Sequence, residues 1–161
     1  VIHFKNKYSD PLPIWVATEL WDYGLLSRFL SGISHRDISV IAARYNVPRP
    51  ELLTSWIRSM NHVRNICAHH SRLWNRSPSD QPRIPRTGEI PMLDHLVTDQ
   101  YAQVHIYAVA AVMQYVLQSI NPSSQWKQRL KDHFATFPTA PGIHVGQTGF
   151  PQGWETLPLW R

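Results

Sequence analysis

An all-α fold is predicted, on three observations. Apolar residues recur at three- and four-residue spacing through most of the 161-residue chain. No strand-length run of alternating apolar and polar residues stands out. Proline-rich breaks such as Val47-Pro48-Arg49-Pro50 and Asn121-Pro122 separate the periodic stretches. These features predict an antiparallel helical bundle, with a helical domain over residues 1–137 and an irregular C-terminal strap over 138–161 packed on it.

Composition bounds the possibilities. A hydrophobic fraction of 43% in 161 residues suffices for one domain with its own core. Sixteen Lys+Arg against 11 Asp+Glu give a formal charge of +5 and favour an anionic partner. The single cysteine, Cys67, rules out an internal disulfide and fits a reducing, cytoplasmic compartment. No apolar run reaches the length of a membrane span, since AVAAVM from Ala108 is flanked by Tyr107 and Gln114.

Residues 1–12 are polar and expected to be irregular, with Asp10-Pro11-Leu12-Pro13 as a boundary. From Pro13 a helix is expected to run to about Gly32, with Ile14, Ala17, Leu20, Trp21, Leu25 and Phe29 as its apolar stripe. Glu19 falls where a carboxylate would face inward, and Gly24 permits close packing. Ser34 with Asp37 reads as the N-cap of a short helix carrying Ile38, Ile41, Ala42 and Tyr45.

The stretch Pro50–Arg76, PELLTSWIRSMNHVRNICAHHSRLWNR, organises the chain. Pro50 suits the first helical position, where its missing N–H has no partner to lose. Leu53, Trp56, Ile57, Met60, Val63 and Cys67 form the expected core face. Arg64 lies about 20° from Leu53 on an ideal helix, so its charge must find a partner such as Glu19, or a cleft between two subunits. Arg58, Asn61, Asn65, His69 and Arg72 fall within about 80° of one another on the opposite side.

After Trp74, NRSPSDQPRIPRTGEIP holds four prolines together with Arg76, Arg83 and Arg86. It reads as a solvated surface loop, or alternatively as an arm lying on a phosphate backbone. A long central helix is expected from Asp94 to Ile120, with Leu96, Tyr101, Val104, Ala108, Ala111, Val112, Tyr115 and Val116 inward. Ser124 caps a last helix bearing Trp126, Leu130, Phe134 and Phe137, with Lys127, Arg129 and Lys131 outward. Beyond Pro138, Phe150, Trp154, Leu157 and Trp160 mark an ordered strap, because that much apolar surface would be a liability if exposed.

The string RNICAHHSRLWNR, Arg64 to Arg76, resembles the core of the Abi-type abortive-infection proteins (AbiD/AbiF-like). LPIWVATELWDYGLLSRFL from Leu12 and GFPQGWETLPLW from Gly149 agree with it. Within it, Arg64-Asn65-x-x-x-His69 looks like the R-x4-H motif of the HEPN ribonuclease superfamily. The chain starts at Val1, and relatives in that family carry a further helical half. It is therefore expected to be the C-terminal part of a longer protein.

The resemblance implies a HEPN-like bundle and a metal-independent endoribonuclease of a toxin-type phage-defence system, needing no cofactor. RNA supplies its own 2′-OH nucleophile, and the enzyme supplies proton transfer and a cation for the phosphorane. His69 is then the proton-transfer residue, Arg64 the phosphate clamp and Asn65 their partner one turn away. His70, Arg72, Arg76, Arg58, Arg83 and Arg86 are candidates for RNA binding. The resemblance further implies a homodimer through the R-x4-H face, because Arg64 and His69 diverge by about 140° on an ideal helix. Restraint by an antitoxin or a regulatory RNA goes with that reading. The alternatives are a non-catalytic RNA-binding module and a protein-interaction domain in which Arg64 and His69 are structural. His62, Cys67, His69 and His70 match neither H-E-x-x-H nor a zinc-finger spacing, so no metal is expected.

Overall fold

A computed structural model describes Lys7, residues 13–138 and residues 140–161. The boundary expected at Asp10–Pro13 lies almost wholly outside the described residues. Eight α-helices and no strand occur among them: α1 (Ile14–Thr18), α2 (Tyr23–Gly32), α3 (His35–Arg44), α4 (Pro50–Ala68), α5 (His95–Thr98), α6 (Gln100–Gln103), α7 (Ile106–Ile120) and α8 (Trp126–Ala135). Short 3₁₀ turns cover Pro91–Leu93, Val145–Thr148 and Trp154–Thr156. No helix among the described residues is long and apolar enough to cross a membrane.

Helix α4 is the hub, packing against α2, α3 and α7. Pro50 occupies its first turn and Glu51 complements the positive N-terminal end. Leu52, Leu53 and Trp56 are buried with Ala108, Ala111 and Val112 of α7 in one core, and Ile66 is buried further along α4. Small residues along α7 leave room for the large rings around it, and Trp56 meets Tyr115 edge-on at 5.9 Å. Ser34 caps α3 as expected, accepting from Asp37 N at 3.2 Å.

Two expected helices are broken. The one predicted over residues 13–32 stops at Thr18 and restarts at Tyr23, because Asp22 accepts from Leu25 N at 2.7 Å and caps α2. Its apolar stripe is not the core face: Ile14, Leu20, Leu25 and Phe29 are exposed, whereas Val16 and Ser27 are buried. Glu19 is exposed too, not inward-facing. The helix predicted over 94–120 is three pieces, since Asp99 accepts from Ala102 N at 2.9 Å and starts α6. In both places an aspartate offers the backbone a local partner that outcompetes continuation. Tyr101 is consequently exposed, not inward.

The proline-rich segment after Trp74 is neither a solvated loop nor a free arm. Pro78, Pro82 and Pro85 are buried, and its backbone is pinned along α4. Trp56 Nε1 donates to Arg83 O at 2.8 Å, and Arg83 N donates to Ser55 Oγ at 2.9 Å. Arg49 grips Glu89 with two hydrogen bonds of 2.9 Å. The C-terminal strap closes the core with Phe150, Trp154, Leu159 and Trp160, all buried. Trp160 Nε1 donates to the Tyr107 hydroxyl at 3.1 Å, which gives the buried indole its polar partner.

Candidate functional site

An open groove of about 660 Å³ lies between α2 and α4. Helix α4 contributes Arg58, Asn61, Arg64 and Asn65, and α2 contributes Ser27, Arg28 and Ser31 beside the capping Asp22. Three guanidiniums against one carboxylate give it a positive balance of charge, and guanidiniums match phosphate oxygens with paired donors. Arg58 is partly engaged, 3.1 Å from Asp80 of the proline-rich strap. Asn61 Oδ1 is buried there without a hydrogen-bond partner. A Cβ on Gly24 would stand 3.7 Å from that oxygen, an ordinary van der Waals contact, and 3.3 Å from Asp22 Oδ1 of its own turn, so the approach of the two helices does not require the glycine.

Arg64 is exposed, and it pairs with neither Glu19 nor any other carboxylate among the described residues. Its Nη1 donates to Asn65 Oδ1 at 3.0 Å. The buried face of α4 is shifted by about 70° from the expected one: Leu53 and Trp56 stay buried, and Leu52, Ser55, Ser59 and Ile66 extend it on one side. Ser55 and Ser59 are buried in place of Cys67, which is exposed. The serines tolerate burial because Ser59 Oγ donates to Ser55 O at 2.9 Å and Ser55 Oγ accepts from Arg83 N. The shift leaves Arg64 outside the apolar face and next to Asn61.

Helix α4 ends in a Schellman motif. His69 N donates to Asn65 O, His70 N to Cys67 O and Ser71 N to Ile66 O, each at 3.0 Å. His70 occupies the left-handed position with φ +51, where glycine is usual. His69 is the C-cap at φ −92, its side chain exposed one turn beyond Asn65. Arg72, predicted on the polar face of this helix, lies past its end and off that face.

The structure therefore brings Arg58, Arg64 and Asn65 of the predicted site into one groove. His69, His70, Arg72, Arg76, Arg83 and Arg86 are exposed outside its lining. Sequence reasoning missed Ser27, Arg28 and Ser31, although Gly24, Ser27, Arg28 and Ser31 recur at the spacing of a second, polar face of α2. Among the described residues, no three His, Cys, Asp or Glu side chains form a metal-holding group. His62 instead faces Ser79 at 3.3 Å and Asp80 at 3.9 Å.

The family model described as Abi-like protein matches residues 1–75. This segment is similar to that family. It contains every residue lining the groove, together with His69 and His70. The stretch from Leu12 falls wholly within it, the one from Arg64 does so except for Arg76, and the one from Gly149 lies outside. Residues 76–161 supply most of the proline-rich segment, α7 and the C-terminal strap that pack around α4. No curated protein and no solved structure matches the chain.

Proposed function

We propose that the protein is a metal-independent endoribonuclease serving abortive infection. One observation carries the reading: α4 delivers Arg58, Arg64 and Asn65 to a basic groove and ends, one turn later, in an exposed His69. An Abi-like segment holding the R-x4-H spacing supports it. The groove binds an RNA phosphate through its guanidiniums. A histidine takes the 2′-OH proton, O2′ attacks phosphorus, and the bond to O5′ breaks as that oxygen gains a proton. The products are a 2′,3′-cyclic phosphate and a 5′-OH end. Arg64 offsets the charge that builds on the phosphorane.

His69 leaves α4 as its cap and does not line the Arg64 groove, so two copies related by a two-fold axis supply the complete set of groups. An isologous contact brings the same patch to itself. Incubating RNA with the protein in EDTA tests the reaction. Cleavage lost in His69→Ala, with stability kept within about 1 kcal/mol, supports it. Ends carrying 3′-OH and 5′-phosphate would point to a metal-activated water instead. Salt-sensitive RNA binding without cleavage would leave only a binding module.

A further inference from the structure

We infer that an unpaired base of single-stranded RNA binds in a second, aromatic cavity that adjoins the groove at Arg64. This inference rests on the RNA reading above. The cavity measures about 450 Å³, and Arg64 lines both it and the groove. Its walls include Trp74, Trp126, Phe134 and Phe137, all half-buried and therefore presenting ring surface to a ligand. Phe134 and Phe137 lie almost parallel, with centroids 6.3 Å apart and planes 13° apart. Trp74 meets Phe137 edge-on at 6.4 Å.

An open aromatic cavity of this size falls in the range that holds small organic ligands, roughly 300–1,000 Å³. Its polar groups are few. Arg64 and His133 line it, and the Thr148 hydroxyl there already donates to Val145 O. Arg64 joins this cavity to the basic groove, so a nucleotide spans both: the phosphate is held from the groove side and its base lies against the rings, with Arg64 between them. A base must leave its helix to enter, so the site selects single strands over duplex. With so few polar contacts, recognition rests on stacking and tolerates any base.

The test is binding of the full chain to a short 2′-O-methyl oligouridylate, which lacks the nucleophile and stays intact. The same backbone made abasic, and the oligouridylate paired with its complement, are the comparisons. The abasic strand is expected to bind roughly tenfold more weakly than the intact one, with the same salt dependence. Phe137→Leu, a mild change that keeps an apolar side chain, is expected to weaken the intact strand and leave the abasic one unchanged. Equal affinity for intact and abasic strands overturns the base site, as does an equal loss for both in Phe137→Leu. Base-independent binding alongside RNA cleavage overturns this inference alone. Retention of no strand at all overturns it together with the nuclease reading.

Discussion

Arg64 Nη1 donates to Asn65 Oδ1 at 3.0 Å, a contact between adjacent residues of one helix. Neighbours in sequence diverge by about 100° around a helix, so the long arginine must fold across the surface to reach that amide. Arg64 lines both the polar groove and the aromatic cavity, and the bond fixes its guanidinium beside Asn65 of the groove. Asn65→Ala is expected to leave Arg64 charged but no longer held there. RNA affinity should fall by a few-fold with the salt dependence preserved, whereas Arg64→Ala removes about one unit of the log–log salt slope. Neither change should alter stability by more than about 0.5 kcal/mol, since Arg64 is exposed and Asn65 partly so. Anisotropy titrations at several salt concentrations separate the two variants.

His70 sits at φ +51, a conformation that costs a side-chain-bearing residue about 1–2 kcal/mol. Glycine relieves this strain but loses more entropy on folding, by about 0.5–1 kcal/mol. His70→Gly is therefore expected to stabilise the protein by about 0.5–1 kcal/mol in urea unfolding. A fall in RNA affinity in the same variant would show that the strain is kept for binding. A loss of stability would instead show that the imidazole makes contacts worth more than the strain.

His95 accepts from the Tyr107 hydroxyl at 2.7 Å, and that hydroxyl accepts from Trp160 Nε1. Burial lowers the His95 pKa, against the pull of the Met92 carbonyl and of Asp99 and Asp94. The folded protein then binds fewer protons than the unfolded chain below the ordinary histidine pKa of about 6.5. The neutral form's contribution is complete above that pH and is lost as pH falls through the depressed folded value. Thermal unfolding between about pH 7.5 and 5 should show a steeper decline for the native chain than for His95→Gln, which keeps an acceptor for Tyr107. Parallel declines would remove His95 as the cause.

Gly149 adopts φ +82, and a Cβ there would lie 2.5 Å from the His105 Cβ. His105 is buried and tied to Tyr101 O at 2.8 Å, so it has little freedom to withdraw. Gly149→Ala combines left-handed strain with overpacking and is expected to cost about 2–4 kcal/mol. Gly142, at φ +77 with no atom within 4 Å, is the control. Gly142→Ala should cost only the conformational part, about 1–2 kcal/mol. Equal losses in calorimetry would mean that the close approach at His105 relaxes freely.

The sequence alone determined the all-α class, the start of α4 at Pro50, the Ser34 cap and the end of α7 at Asn121-Pro122. Each depends on residues within one turn of each other, whose steric and hydrogen-bonding preferences act without the rest of the chain. It also placed Arg64, Asn65 and His69 at the end of the central helix. Only the tertiary structure decided which face of that helix is buried. Periodicity ranks residues by polarity, and so it put Cys67 on the core face and did not include Ser55 and Ser59 in it. Ser55 is buried because a backbone N–H from Arg83, 28 residues away, binds its hydroxyl. The buried face is thereby shifted away from Arg64, which Arg28 of α2 joins across the groove. A polar side chain is costly to bury only while its hydrogen bonds are unmade, and which segment makes them is settled by packing.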